Sequence, residues 1–325
     1  MKKIILYIIL GVLIVLAGIF TYKEINKEED ENIRTVKVAE VTHSPFYAPF
    51  YVAIEKGIFE NKGINIDLVL TSGANNVVAA VLSGDAEIGF CGPEATVYVY
   101  KENVKNYVQT FAGLTKRDGQ FIVSRTKIEN FKISDLIGKE VLAGRVGGMP
   151  ILNFTNALKK TNTIGVKVND SVDFANLTSA FLAGQGDFVN LFEPNATKLE
   201  KEGLGYVVAS VGAYSGEVPY TAFNAKSNFI KNNQDLITKF REALNEALQY
   251  VKDNSSEDIA KIILRQFPDT SLNDLVKIVN RYKEADSWLN DTFISQKMFE
   301  NLQDIMIDGG FIDKYVPYQD LIVNE

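Results

Sequence analysis

Ala80-Val81-Leu82-Ser83-Gly84-Asp85-Ala86-Glu87-Ile88 recurs in character one hundred residues later as Ala180-Phe181-Leu182-Ala183-Gly184-Gln185-Gly186-Asp187-Phe188. Each copy reads as the end of a helix, a glycine-containing stop, an acidic residue and an apolar strand. Asn76 stands over Asn176, and the strand Val36–Val41 has a counterpart in Glu140–Ala143. Helix–glycine–strand units look alike in any α/β protein. Here the whole order of strand, loop, helix and strand repeats, which favours two similar α/β lobes with parallel sheets.

Outward from the first copy, Ile64 to Leu70 alternates as a strand and Pro45 to Glu55 reads as a helix closed by Lys56-Gly57. Ala86 to Cys91 reads as a buried strand, and Pro93 to Tyr100 as a helix with proline in its first turn. Beyond Asn224 the pattern turns helical. Leu236, Ile237, Phe240, Leu244, Leu248 and Val251 recur at helical spacing, and three further helices are predicted over Ile259–Phe267, Leu272–Tyr282 and Lys297–Ile307. Helices with one apolar face each must pack on something, and the first lobe is the available partner. The sequence therefore predicts lobe 1 over residues 35–124 plus 219–325 and lobe 2 over 125–218. The chain would cross between them near 124–128 and again near 217–222, and two crossings make a hinge.

Composition narrows the chemistry. The 325 residues carry 34 Lys+Arg and 41 Asp+Glu, a net charge of −7, and 46% hydrophobic residues. Such a chain is globular, and without clustered cations it is not expected to bind nucleic acid. One cysteine, Cys91, excludes an intrachain disulfide and an iron–sulfur cluster, and one histidine, His43, excludes a three-His metal site. Neither a cofactor nor a metal is expected.

Met1-Lys2-Lys3 precedes an uncharged run from Ile4 to Phe20, and Glu24, Glu28, Glu29, Asp30 and Glu31 follow it. As a helix that run would span roughly 26 Å, enough for a marginal membrane crossing with the remainder outside the cytoplasm. Residues 1–21 are read as a signal peptide or an uncleaved membrane anchor, and 22–34 as a polar tether. Leu16-Ala17-Gly18 resembles the start of a lipoprotein processing box, but Ile19 stands where the lipidated cysteine belongs. The expected location is the outer face of the membrane, or secreted if the segment is cleaved.

Ser44-Pro45-Phe46-Tyr47-Ala48-Pro49-Phe50-Tyr51-Val52-Ala53-Ile54-Glu55-Lys56-Gly57-Ile58-Phe59, running into Gly63-Ile64-Asn65-Ile66-Asp67, resembles the solute-binding components of ABC importers. The resemblance is to the NMT1/THI5-like and SsuA-like families. Leu82 to Gly89, Gly92-Pro93-Glu94-Ala95, Arg145-Val146-Gly147-Gly148-Met149-Pro150 and Val218 to Phe223 extend it over residues 35–325. It implies a type 2 periplasmic-binding-protein clamshell, a small-molecule solute, an ABC permease as partner, and a monomer.

In such sheets ligands sit beyond the carboxyl ends of the strands, where free N–H groups of helix starts favour anions or carbonyl-type acceptors. The candidate contacts are accordingly His43, Phe46, Tyr47, Gly73, Asn75, Cys91, Glu94, Arg117, Gly147, Gly148, Met149 and Glu193. Phe46 and Tyr47 offer aromatic surfaces or core packing, and Gly147-Gly148 lets backbone approach a ligand. Glu193 could accept from an aminopyrimidine, and Arg117, in a turn that reads as surface, could neutralise an anion. Cys91 reads also as an inert buried thiol and Glu94 as a helix-dipole residue. A pyrimidine or thiamine precursor ranks first as solute and an aliphatic sulfonate second. The same family includes a pyrimidine synthase, which implies iron and a Cys-rich loop that this chain lacks, so no catalysis is expected. A ligand-sensing receptor domain is the other alternative, ranked lower because no second span or output domain is read before Glu325.

Overall fold

The computed structural model describes residues 33–324. The membrane-directed segment and the tether lie outside these residues, apart from Ile33 and Arg34, the latter opening the first strand. Among the described residues, no helix is long and apolar enough to cross a membrane.

Ten strands form two five-stranded sheets of matching plan. The first contains β1 (Arg34–Glu40), β2 (Ile64–Leu70), β3 (Ile88–Cys91), β4 (Val108–Thr115) and β10 (Thr221–Lys226), in the order β2-β1-β3-β10-β4. The second contains β5 (Phe121–Ser124), β6 (Glu140–Leu142), β7 (Lys167–Asn169), β8 (Phe188–Leu191) and β9 (Tyr206–Ser210), in the order β7-β6-β8-β5-β9. In each sheet three strands run parallel and a fourth enters antiparallel beside the third: β10 against β3, β5 against β8.

The exchange of these fourth strands defines the crossings. β5 follows β4 of the first sheet but pairs with β8 and β9 of the second, so the first crossing is residues 116–120. This corrects the sequence reading, which kept residues through 124 in lobe 1 and crossed at 124–128. The cause is physical: Phe121–Ser124 is buried along its whole length, so it shows no alternation and gives no sign of the sheet it joins. β10 falls in lobe 1 as the sequence reading assigns it, though that reading gives it no strand; its buried residues fill the first sheet. Phe223 of β10 stacks on its register partner Phe90 of β3 with centroids 4.2 Å apart.

The helix Gln234–Asp253 buries Leu236, Ile237, Phe240, Ala243, Leu244, Ala247, Leu248 and Val251 on one face. That face closes the first lobe, with Phe240 centred 4.8 Å from Phe59 and 5.1 Å from Phe223. Each such aliphatic or aromatic burial contributes about 1.5–3 kcal/mol. The helices Ser256–Ile263, Leu272–Glu284 and Gln296–Asp308 begin at Ser255, Ser271 and Ser295, whose hydroxyls accept from the backbone three residues on. All three belong to the first lobe, and the last two also reach the second. Arg281 pairs with Glu193 and Glu200, Lys201 with Asp274, and Lys159 with Asp308.

Candidate functional site

The carboxyl ends of the parallel strands in both sheets lead into helices whose starts meet at the seam between the lobes. From the first lobe come the short 3-10 turn Pro45–Tyr47 with helix Ala48–Glu55, helix Ala74–Ser83 and helix Glu94–Lys101. From the second comes helix Met149–Lys160, opened by Gly148, with Gly147 before it at φ +85°, a conformation that favours glycine.

Besides the ion pairs above, contacts at these helix starts join the two sides. Arg145 Nη2 donates to Asn75 Oδ1 at 2.6 Å. The Tyr98 hydroxyl donates to the Gly147 carbonyl at 3.1 Å. Ser44 Oγ donates to the Glu193 carbonyl at 2.7 Å. The buried Glu94 carboxyl lies against Met149, whose backbone N–H helps hold it. Among the predicted residues, Gly73, Asn75, Glu94, Gly147 and Met149 are thus brought to one seam, and Gly148 lies between the last two.

Phe46 and Tyr47 build an aromatic wall. Phe46 is fully buried, with ring centroids 5.4 Å from Tyr47, 5.5 Å from Phe192, 5.8 Å from Tyr220 and 5.1 Å from Tyr282. Gly119 is required beneath it, because a Cβ there would stand 2.6 Å from the Phe46 ring. Tyr47 packs edge-on against Phe90, and burial raises its hydroxyl far above the ordinary range, with Thr221 beside it.

Other predicted residues are committed elsewhere. His43 Nδ1 meets Glu40 at 2.7 Å and Nε2 meets the Gln266 carbonyl at 2.9 Å, so neither ring nitrogen is left for a ligand. Glu193 was read as a hydrogen-bond acceptor for a ligand. Instead its carboxylate is buried between Arg281 (2.8 Å) and the N–H and hydroxyl of Thr197 (2.8 Å each). Arg117 was read as an anion partner, but its guanidinium meets Glu217 at 3.0 Å and Asp286 at 3.3 Å. Cys91 is fully buried behind the wall, next to the Asn224 amide, and burial pushes its thiol up.

The seam also holds residues the sequence reading missed. Asp118 lies on the first crossing, not on a surface turn, and is 1% exposed; its Oδ1 accepts from the Gln120 backbone while Oδ2 has no partner. The Tyr220 hydroxyl stands near Asp118 without hydrogen-bond geometry and is itself unpartnered. Gln120 Oε1, Asn153 Oδ1 and both amide atoms of Asn190 are buried without partners. A buried polar group that nothing meets costs about 1–3 kcal/mol, so these atoms are candidates to meet water or a bound solute. A legible cue existed for one of them: Asn190 interrupts the apolar run Phe188-Val189-Asn190-Leu191.

Among the described residues, no group of three or more His, Cys, Asp or Glu side chains could hold a metal ion. A separate cavity of about 400 Å³ opens at the outer seam between helix Met149–Lys160 and helix Gln296–Asp308, and shares only Val146 with the predicted loop.

Electrostatics of the seam give a pH dependence. Burial pushes the Glu94 carboxyl up to about 8, against the pull of nearby backbone N–H groups, and holds Asp118 well above its ordinary value. Burial alone would lower His43, but the Glu40 carboxylate and the Gln266 carbonyl bring it above its ordinary value. The folded protein therefore binds these protons more tightly than the unfolded chain, and the associated stability fades as pH rises from about 4.5 to about 8. Glu200 and Asp274 are lowered by their lysine and arginine partners and act below that window. Urea midpoints are expected to be highest near pH 5 and to fall toward pH 8. Glu94→Gln flattens that fall, and an unchanged slope in the variant contradicts the assignment.

The NMT1/THI5 like family model matches residues 44–257, which include the wall, both crossings and the seam. The chain belongs to this family. YtlA of Bacillus subtilis (strain 168), a binding protein by name, is 40% identical over 301 residues, covering 92% of this chain and 90% of YtlA. Among solved structures, the alkanesulfonate-binding protein SsuA from Xanthomonas axonopodis pv. citri, bound to MOPS, covers 90% of this chain and 98% of its own. Its TM-score is 0.68 at 14% identity. The periplasmic nitrate-binding protein NrtA from Synechocystis PCC 6803 gives 0.64 at 15% identity, covering 89% and 86%. These similarities show the periplasmic-binding-protein fold expected from the sequence, and the named relatives are binding proteins.

Proposed function

We propose that this protein is the extracytoplasmic substrate-binding component of an ABC importer, which captures a small polar organic solute by hinge closure and presents it to the permease's transmembrane subunits. The observation that carries the reading is the meeting, across a two-crossing seam, of helix starts and buried polar atoms that the protein leaves unpartnered. A solute can favour the closed form only through contacts it makes better there, and these atoms supply such contacts. Residues 4–20 would hold the protein to the outer face of the cell membrane, or be lost on secretion.

A pyrimidine or thiamine precursor remains the first candidate. Its support is the buried aromatic cluster of Phe46, Tyr47, Phe192 and Tyr220 at the lobe junction, which a planar ring would meet on parting of the lobes. An aliphatic sulfonate is the second, supported by the helix start at Gly148 and by the fold shared with SsuA. The iron-dependent synthase alternative finds no support in a chain whose single cysteine is buried.

The test is a thermal-shift screen of residues 30–325 against hydroxymethyl- and formylamino-pyrimidines, thiamine, taurine, alkanesulfonates and nitrate. A ligand at about one hundred times its Kd stabilises by about 2.7 kcal/mol, a shift of several degrees. A shift with pyrimidines alone supports the first candidate, and a shift with sulfonates alone replaces it by the second. No shift with any compound contradicts capture of this solute class.

A further inference from the structure

Glu40 ends β1 with its carboxylate buried, 2% exposed, and among the described residues it pairs with no lysine or arginine. Its ion-pair partner is His43, whose Nδ1 stands 2.7 Å from Oε1, while the Tyr51 hydroxyl donates to Oε2 at 2.8 Å. On the other edge of the ring, Nε2 stands 2.9 Å from the Gln266 carbonyl. A carbonyl and a carboxylate only accept, so these contacts require hydrogen on both ring nitrogens, or the second proton on Glu40 itself. Either way the pair holds one proton more than a neutral imidazole beside a carboxylate. Tyr51 and Phe267, each centred 4.8 Å from the imidazole, fix its place. The next charged groups outward have partners of their own. Glu55 accepts from Gln266 Nε2 at 2.6 Å and meets Arg265 at 3.7 Å, and the Glu193 carboxylate turns to Arg281.

This proton bears on the loop between β1 and the 3-10 turn. Ser44, next after His43, donates its N–H to the Tyr51 hydroxyl at 3.4 Å, and its side chain accepts from the Phe46 N–H. Ser44 Oγ then donates to the Glu193 carbonyl of the second lobe at 2.7 Å, and the Glu193 N–H donates to the Tyr282 hydroxyl at 3.1 Å. Two hydroxyls of lobe 1 thus clasp the backbone of Glu193 in lobe 2. Without the extra proton, a nitrogen lone pair faces Oε1 at 2.7 Å, and the two must part. The Tyr51 hydroxyl, 3.1 Å from Nδ1, can then turn to the ring and leave Oε2. The same groups have a second arrangement, in which Ser44 is no longer held.

We propose that His43 and Glu40 are a positioning pair for lobe closure: with their shared proton in place they set Ser44 to clasp Glu193, and loss of that proton releases the clasp and weakens solute capture. The proposal rests on the reading of solute capture by hinge closure, whatever the solute. Burial works against a charged His43, but Glu40 and the Gln266 carbonyl outweigh it and raise its titration above the ordinary value. The clasp therefore belongs to the low-pH side and is lost as pH rises through that titration.

The chain has one histidine, so residues 30–325 carrying 15N-labelled histidine report on His43 alone. Its ring-nitrogen spectra are expected to show titration above the ordinary value of about 6.5, moving down in Glu40→Gln. Calorimetric titration follows at pH 6 and pH 9 on the parent, His43→Gln, Ser44→Ala and the double variant, each checked for folding by circular dichroism. The probes are 4-amino-5-hydroxymethyl-2-methylpyrimidine, thiamine, taurine and ethanesulfonate. Comparison at one pH cancels the titration of the probe and of Glu94, which both proteins share. The parent is expected to bind at least about tenfold more tightly than His43→Gln at pH 6, and within about twofold of it at pH 9. In the Ser44→Ala background the gap at pH 6 is expected to shrink below about twofold, because both changes remove one clasp. Glu40→Gln stands in if His43→Gln does not fold. Titration of His43 at or below the ordinary value, an equal gap at both pH values, or a gap undiminished by Ser44→Ala overturns the proposal and leaves solute capture intact. No binding of any probe by the parent overturns the capture reading, and the proposal with it.

Discussion

Arg281→Met should lower the unfolding free energy by about 3–5 kcal/mol, because it strands a fully buried carboxylate. Glu193 accepts from Arg281 Nη1 at 2.8 Å, and its remaining partners, the N–H and hydroxyl of Thr197, are neutral. The same guanidinium donates to Glu200 at 2.6 Å, which also meets Lys277. Helix Leu272–Glu284 is thereby tied to helix Asn195–Lys201 across the lobes, and removal of Arg281 also loosens lobe docking. Adding Glu193→Gln to Arg281→Met should recover much of the loss, since a neutral amide needs no counter-charge. Denaturant midpoints decide it: a loss below about 1 kcal/mol in the single variant would show that the pair is hydrated and weak.

Gly92→Ala is expected to weaken solute affinity about 10- to 100-fold with the separate lobes intact. A Cβ at this position would stand 2.0 Å from Glu94 Oε2 and 2.6 Å from Met149 Cγ. The Glu94 contact lies within lobe 1, where a rotation of that side chain can relieve it in either form, but Met149 belongs to the opposite lobe, so its contact is met only when the lobes close. Overpacking of this kind costs about 1–3 kcal/mol. A penalty confined to the closed form lowers apparent affinity by the corresponding factor. Titration with a compound that binds the parent protein checks it. Unchanged affinity would place Glu94 and Met149 away from the closing surface.

Much of this architecture was legible in the sequence because it rests on local pattern. The echo of Ala80–Ile88 in Ala180–Phe188 corresponds to helix–strand units that occupy equivalent places in the two sheets, ending in β3 and β8. The heptad-like spacing from Leu236 to Val251 became the buried face of one helix. What escaped were short strands buried on both faces, β5 and β10, where burial is uniform and no period survives. The site divided along a similar line. Loops at strand ends could be located, and Asn75, Glu94, Gly147 and Met149 do meet at the seam. The partners that commit Glu193 and Arg117 could not be read, because Arg281 lies 88 positions from Glu193 and Glu217 lies 100 from Arg117. Nor could Asp118 be told from a surface residue: Lys116-Arg117-Asp118-Gly119 has the composition of a turn, and only the exchange of strands between sheets buries it.

Small-angle scattering of residues 30–325, with and without a saturating compound from the thermal-shift screen, tests solute capture by closure most directly. Closure predicts a fall in radius of gyration on binding, lost again in Gly92→Ala at the same concentration. Binding that leaves the scattering curve unchanged would contradict capture by hinge closure.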